Sequence, residues 1–483
     1  MPALDALVTK AGTDSEGDKD EGQLVAALTT RTRSRPSLLA AHPARSVVVA
    51  FAFAVVAGTL LLSLPVASED GSATGLVTAL FTATSAVCVT GLAVVDTGTY
   101  WSGFGEGVIL ALIQVGGFGI MTMASMLALL ISGRLRLRMQ LTAQAETRSL
   151  GIGDVRRVLL GVAGTTLVVE LTVGAVLALR FRYGYGESVG SAAYLGYFHA
   201  VSAFNNAGFG LHADNITRYA GDGWVLLPVA AAVILGGLGF PVLLELLRHR
   251  HRQRTTGRRT WTLHTKLTLI VTVVLLAVGT VLTCVLEWTN PGTLGSHSTA
   301  DKILGGFFHS AMTRTAGFNA VDIGAMEAST LLMTCVLMFI GGGSAGTAGG
   351  IKVTTFAVLL VAIIAEVRGE PHSVVLGRRL AAHVLRQALT VALLGVALVV
   401  GSTLLLLTLV HERMEPVLFE VVSAFATVGL STGITADLPG AGQLLLTGLM
   451  FVGRLGPITL VSALALRERT RRYELPEERP IIG

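Results

Sequence analysis

The sequence predicts an all-α membrane protein of four covalently linked units, each a span, a half-helix, a loop and a second span, with pseudo-fourfold symmetry about one axis. Two observations carry this. Apolar residues make up 52% of the 483 positions, charged residues 14%, and mean hydropathy is +0.68; a soluble chain carries about a quarter charged residues. A short motif also recurs four times, as SAVCVTGL (Ser85–Leu92), SAFNNAGF (Ser202–Phe209), SAMTRTAGF (Ser310–Phe318) and SAFATVGL (Ser423–Leu430). Its glycines, Gly91, Gly208, Gly317 and Gly429, lie 117, 109 and 112 residues apart. Phe81, Phe198, Phe308 and Phe419 precede the copies, ten residues before the glycine except in the third, where the gap is nine. A fixed long period marks one structural unit used repeatedly.

Taken in order, residues 1–42 are polar, with acidic Asp14–Glu21 followed by Arg31, Arg33 and Arg35, and read as a disordered cytoplasmic tail. They lack the apolar run and small-residue cleavage site of a secretory signal. Apolar stretches of spanning length, about 20 residues, lie near 45–66, 107–132, 156–180, 224–247, 267–287, 329–341 continuing to 353–367, 387–410 and 442–466. Between the members of each pair lies a shorter piece, near 75–87, 191–204, 300–313 and 415–426. These are too short to cross and read as re-entrant half-helices. The units, each M1–P–M2, are assigned to 43–138, 150–254, 262–370 and 380–470, with 471–483 as a C-terminal tail.

Basic residues set the orientation. Arg134, Arg136, Arg138, Arg148, Arg156 and Arg157 join units one and two; Arg248–Arg259 and Lys266 join two and three. Arg368, Arg378, Arg379 and Arg386 follow unit three, and Arg467–Arg472 the last span. Loops within units lean acidic, with Arg180 and Arg182 as exceptions. The positive-inside rule then puts both termini in the cytoplasm and the glycine turns toward the outside of a plasma membrane. Charge so placed needs no nucleic-acid partner. Cys88, Cys284 and Cys335 are too scattered for a disulfide framework or a metal site.

A re-entrant helix that ends at the membrane centre aims unpaired carbonyls and a negative dipole end there. Glycine permits the backbone angles that turn further carbonyls inward, and rings of such oxygens replace a potassium ion's hydration shell. The residues assigned to this filter, around one pore, are Val89, Thr90 and Gly91; Asn206, Ala207 and Gly208; Thr315, Ala316 and Gly317; and Thr427, Val428 and Gly429. The last triplet matches the first three letters of the potassium-channel TVGYG. Close helix packing explains any single small-residue cluster, but not four in phase.

On these motifs the chain resembles the Trk/Ktr/HKT superfamily of potassium transporters, and within it the KtrB-like membrane subunit, over residues 45–470. FHAVSAFNNAGF (Phe198–Phe209) and TRTAGFN (Thr313–Asn319) carry most of the likeness. The polar tail, where Trk-type subunits add two helices, favours the KtrB side. In plant relatives a serine at the first filter glycine goes with sodium preference, so Gly91 points to potassium. Cys88 departs from the usual threonine or serine. The resemblance implies a homodimer on a ring of cytosolic nucleotide-binding regulators of the KtrA/TrkA kind, with Arg248–Arg259 as a docking surface; any nucleotide effect comes from that partner. No cofactor is expected on this subunit; potassium, with sodium as the second candidate, is the transported or activating ion.

From Thr330 to Arg368 the chain is apolar or small and contains GGGSAGTAGGIKVTT (Gly341–Thr355). One straight helix would run to about 58 Å, nearly twice a bilayer core. Each interior glycine costs about 1 kcal/mol against alanine, so a helix broken within the membrane is expected, with its loop lining a cavity. The resemblance implies a gate beneath the filter, made of Gly341, Gly342, Gly343, Ser344, Gly346, Thr347, Gly349, Gly350 and Lys352, with Arg454 of the last span projecting toward it. The other readings are a hinge for the loop, an interhelical pair with Glu170 for Arg454, and a cytoplasmic-boundary position for Lys352. His199, His309 and Glu420 read as hydrogen-bonded scaffold.

Gly342–Gly346 also fits G-x-S-x-G, which would make Ser344 the nucleophile of an intramembrane hydrolase; that elbow needs a strand, a turn, a helix and a histidine. GTAGGIKVT falls short of a phosphate loop, because Ile351 separates glycine from lysine. The expectation is a non-enzymatic, channel-like potassium uptake protein, with a sodium-preferring or nonselective carrier of the same architecture as the alternative.

Overall fold

The computed structural model describes residues 43–140, 152–252 and 261–456. The expected tails, the basic stretch 253–260 and the end of the last unit lie outside the described residues. The described chain is almost entirely helical. Its helices are α1 (Pro43–Leu62), α2 (Leu76–Val87), α3 (Gly103–Gln140), α4 (Ile152–Gly184), α5 (Val189–Phe204), α6 (Gly223–Leu238) and α7 (Phe240–Arg252). They continue as α8 (Leu263–Glu287), α9 (Thr299–Met312), α10 (Ala328–Phe339), α11 (Val353–Val367), α12 (Ala382–Leu409), α13 (Met414–Ala426) and α14 (Gly440–Leu455).

Four of the shorter helices, α2, α5, α9 and α13, each run into one copy of the repeated motif. The short helices α2, α5, α9 and α13 have 12, 16, 14 and 13 residues. At 1.5 Å per residue they reach about 18–24 Å, short of a hydrocarbon core of about 30 Å. Their C-terminal halves are buried almost completely, and Phe81, Phe198, Phe308 and Phe419 are each no more than 1% exposed. Those phenylalanines anchor each half-helix in the protein interior, which is why they recur nine or ten residues before the turn glycine.

Packing between repeats runs in one direction and closes. Helix α3 packs on α5, α6 on α9, α10 on α13, and α14 returns to α2. The outward faces of the long helices stay apolar and exposed, as at Phe53, Leu171, Val273, Val285 and Leu393. That arrangement suits lipid rather than water. Among the described residues, Leu159–Gly184, Leu263–Glu287 and Ala382–Leu409 are each long and apolar enough to cross a bilayer alone.

The stretch expected as one span over 224–247 is instead broken. Helices α6 and α7 meet at Gly239 (φ +89°) with a bend of 101°. Helix α14 ends the same way, at Gly456 (φ +82°). Between α10 and α11 the glycine-rich segment forms an irregular loop pinched by an Ile340–Ile351 bridge. A small hairpin, β1 (Val374–Val375) with β2 (Arg378–Arg379), follows α11.

The broken helix and the loop satisfy each other's backbone. Ending α6 at Leu238 frees the carbonyls of its last turn. Gly237 O accepts Gly343 N–H (2.7 Å) and Gly236 O accepts Thr347 N–H (3.2 Å), while Phe240 N–H donates to Ala345 O (3.2 Å). Orphaned backbone groups inside a membrane cost several kcal/mol each, so the two irregular segments are mutually required.

Candidate ion pathway and gate

Each half-helix runs into the predicted turn, and the four turns share one backbone shape. The residue two before the glycine is left-handed in every copy: Val89 (φ +53°), Asn206 (+60°), Thr315 (+66°) and Thr427 (+51°). The glycine is also at positive φ: Gly91 (+92°), Gly208 (+71°), Gly317 (+73°) and Gly429 (+92°). Thr90, Ala207, Ala316 and Val428 between them are not. Alternating the hand at successive residues turns consecutive peptide planes to one side, the carbonyl counterpart of an anion-binding nest. Only glycine holds the second position without strain.

The glycines touch in a closed cycle. A side chain added at Gly91 would strike Ala207 O, one at Gly208 would strike Ala316 O, one at Gly317 would strike Val428 O, and one at Gly429 would strike Thr90 O. In each case the next glycine's Cα is also within contact distance. The turns therefore form a ring in chain order, and the middle residue of each presents its carbonyl to the glycine before it.

The supports of this ring differ. Ser85 Oγ accepts Gly91 N–H (3.1 Å) and donates to Leu92 O (2.7 Å); Ser423 Oγ accepts Gly429 N–H (3.0 Å). Ser202 Oγ has no partner among the described residues, and Ser310 Oγ turns to Leu276 O of α8 (3.0 Å). In the second copy Asn205 donates to Glu170 (3.0 Å) and Gln114 (3.0 Å), and Asn206 donates to Arg314 O of the third copy (3.2 Å). Gly208 O accepts from Asn215 (3.2 Å).

The loop between α10 and α11 lies against two non-adjacent turns of the ring. Thr347 Oγ donates to Asn206 Oδ1 (2.8 Å) in the second turn, whereas Gly349 sits so close to Thr427 Oγ and Ala426 O of the fourth that a β-carbon would not fit. A β-carbon would likewise strike Gly349 O from Gly341, Ala348 from Gly342, Leu238 O from Gly343 and Gly237 O from Gly346. Gly350 has φ +63°. The glycine content is thus set by close approach, to backbone carbonyls at Gly341, Gly343 and Gly346 and first to side-chain atoms at Gly342 and Gly349.

Arg454 is 4% exposed and donates from Nη1 to Thr347 O and from Nη2 to Gly116 O (3.4 Å). Glu170, the alternative partner, is engaged by Asn205 and Gln114 instead, so that reading is corrected. Lys352 caps α11 and its Nζ reaches the loop's own Ala348 O at 2.5 Å. His199 Nδ1 meets Leu195 O (2.8 Å), His309 Nε2 meets Thr334 Oγ (3.0 Å), and Glu420 accepts from Ser431, Thr432 and Thr435. Ser344 pairs with Thr354 Oγ (3.1 Å), with no histidine partner among the described residues.

Sequence reasoning missed the Gly239 break, although Pro241 two residues on was a signal for it. It also missed Asn205 and Asn206 as side-chain organisers, and Arg314, which is 5% exposed with Nε and Nη2 unpartnered among the described residues.

Apolar helices facing outward, four half-helices converging on a backbone ring, and an irregular loop against that ring are the features of a membrane protein. Residues 24–471 match the family model described as TrkH, cation transport protein, and the chain belongs to this family. It is 39% identical over 432 residues to the Ktr system potassium uptake protein B of Bacillus subtilis (strain 168), covering 89% of this chain and 95% of the relative. The Ktr system potassium uptake protein B of Vibrio alginolyticus is 38% identical, covering 91% and 94%. The potassium/sodium uptake protein NtpJ of Enterococcus hirae is 33% identical, covering 91% and 97%. The crystal structure of the potassium transporter TrkH from Vibrio parahaemolyticus shares the fold, with a TM-score of 0.67 at 18% identity over 90% of this chain and 87% of that one. These relatives are transporters, and the hydrolase reading of Ser344 falls away.

Proposed function

We propose that this protein takes up potassium across the plasma membrane, as the ion-translocating subunit of a Ktr/Trk-type system, through a channel-like pore in four M1–P–M2 units. The observation that carries the reading is the closed ring of four turns with matched left-handed and glycine positions. Such a ring offers carbonyl oxygens in place of water around a bare cation. The filter comprises Val89–Gly91, Asn206–Gly208, Thr315–Gly317 and Thr427–Gly429. A single filter common to all four units leaves little for rocking halves to do, which favours a channel-like path over alternating access.

The loop Gly341–Lys352 and Arg454 form the gate. In its favour, the loop touches the second and fourth turns, which are opposite in the ring, and so crosses beneath it. The guanidinium of Arg454, whose hydrogen-bond partners among the described residues are uncharged carbonyls, keeps its positive charge and adds an electrostatic barrier to a cation on the same path. Homodimerisation, docking on a cytosolic nucleotide-binding ring, and cytoplasmic termini are proposed from the kinship with Ktr systems and from the distribution of basic residues. The potassium/sodium name of one relative keeps a less selective carrier as the second reading.

Flux into proteoliposomes under separate potassium and sodium gradients tests this. Potassium should be strongly preferred, and Gly91→Ser should erode the preference, because any side chain there meets Ala207 O. Unchanged selectivity in that variant would count against the filter. Deleting Gly343–Gly349 should raise flux; an unaltered flux in a folded variant removes the loop's gating role.

A further inference from the structure

Among the described residues, Asn206 is the filter-turn residue whose side chain bonds both to a neighbouring turn and to the loop. Its counterparts two residues before the glycine are Val89, Thr315 and Thr427. The Thr315 and Thr427 hydroxyls have no hydrogen-bond partner among the described residues. Asn206 is fully buried, and its two ends do different work. Nδ2 donates to Arg314 O (3.2 Å), in the third turn; Oδ1 accepts from Thr347 Oγ (2.8 Å), in the loop. The chemistry fixes the orientation. A carbonyl only accepts, so the amide nitrogen must face Arg314, and the amide oxygen is then left to take the hydroxyl proton of Thr347.

The chain of contacts does not stop there. Thr347 N–H is held by Gly236 O and its carbonyl by Arg454, so one loop residue is tied to the broken helix, to the last span and to the filter. Gly236 lets the three groups meet, since a β-carbon there would lie 2.9 Å from both Asn206 Oδ1 and Thr347 Oγ. If the loop leaves its place under the ring, Asn206 loses one of the two bonds that pin its amide. Held at the Arg314 end alone, the amide gains freedom, and its support of the third turn loosens.

We propose that Asn206 is a positioning residue that couples ion selection to the gate: with the loop seated, Thr347 locks the Asn206 amide and the second and third turns keep their spacing. With the loop displaced, that spacing relaxes and discrimination falls. This rests on the filter-and-gate reading above. A loop that merely obstructs would change flux alone.

The test uses the full chain in proteoliposomes, measuring potassium flux and the potassium-to-sodium flux ratio. Thr347→Val, which keeps the shape and removes the hydroxyl, should raise flux and lower the ratio, each by about threefold to tenfold, the range of one side-chain hydrogen bond in a membrane interior. Thr347→Ser, which keeps the hydroxyl, should return both readouts toward the parent. If Thr347→Val folds poorly, Thr347→Ala removes the same hydroxyl with less bulk and is read in the same way. Raised flux with an unchanged ratio overturns the coupling and leaves the gate intact; two unchanged readouts in a folded variant also overturn it. Failure of the filter reading itself is seen separately, as an unchanged ratio in Gly91→Ser.

Discussion

The first and fourth turns of the ring and the second and third reach one backbone shape by different means. In the former, the motif serine reaches forward and takes the glycine N–H, Ser85 to Gly91 and Ser423 to Gly429. In the latter the serine does neither. Ser202 is buried without a partner among the described residues, Ser310 bonds α8, and order comes from Asn205 and Asn206 through Glu170, Gln114, Arg314 and Thr347. A local support involves residues six apart and, among the described residues, makes no hydrogen bond to the loop, although Gly349 packs on the fourth turn. A long-range support, such as Asn206 with Thr347, passes directly into the loop. The ring is therefore symmetric in its backbone and asymmetric in what can disturb it.

The backbone is the part the two pairs share, and breaking it should have the largest effect. Gly429→Ala places a β-carbon at φ +92° and against Thr90 O of the first turn. The conformation alone costs about 1–3 kcal/mol, and the contact adds to it because backbone cannot move aside. Potassium uptake should fall by about 100-fold or more at that combined cost, whether measured as flux or as growth on limiting potassium. A variant with near-parental flux would mean that the glycines of the serine-held turns are not constrained as the ring requires.

What could be seen in the sequence follows from the range of the forces involved. The half-helices stood out because their length, their burial phenylalanines and their turn glycines are local, and four copies in phase made the pattern visible. The glycine-rich break after α10 stood out because glycines at that density cannot sustain a helix. The break at Gly239 did not, because the apolar run over 224–247 looks continuous until the loop from over a hundred residues away arrives to satisfy Gly236 and Gly237. The same limit explains Arg454. A buried arginine demands a partner, and the residues alone offered Glu170 while the resemblance implied the loop; the loop contact is the one found, at the carbonyl of Thr347, with Gly116 O as a second partner that no side chain announces. The motif serines look equivalent on paper, and only the path of the chain decides which of them meets a glycine N–H.

Those serines give the finest test of the comparison. Ser85→Ala removes the acceptor for Gly91 N–H and the donor to Leu92 O, both in a buried turn. Leaving such groups unpaired costs about 1–3 kcal/mol, so the potassium-to-sodium flux ratio should drop by about tenfold and the melting temperature of the purified protein should fall. Ser202→Ala, at the matching position, removes a buried hydroxyl that has no hydrogen-bond partner among the described residues. Burying an unpaired hydroxyl is unfavourable, so its removal should leave the ratio within about twofold and hold or slightly raise the melting temperature. Equal losses in the two alanine variants would mean that the turns are supported alike in the working protein, and that the division between locally held and remotely held turns does not exist.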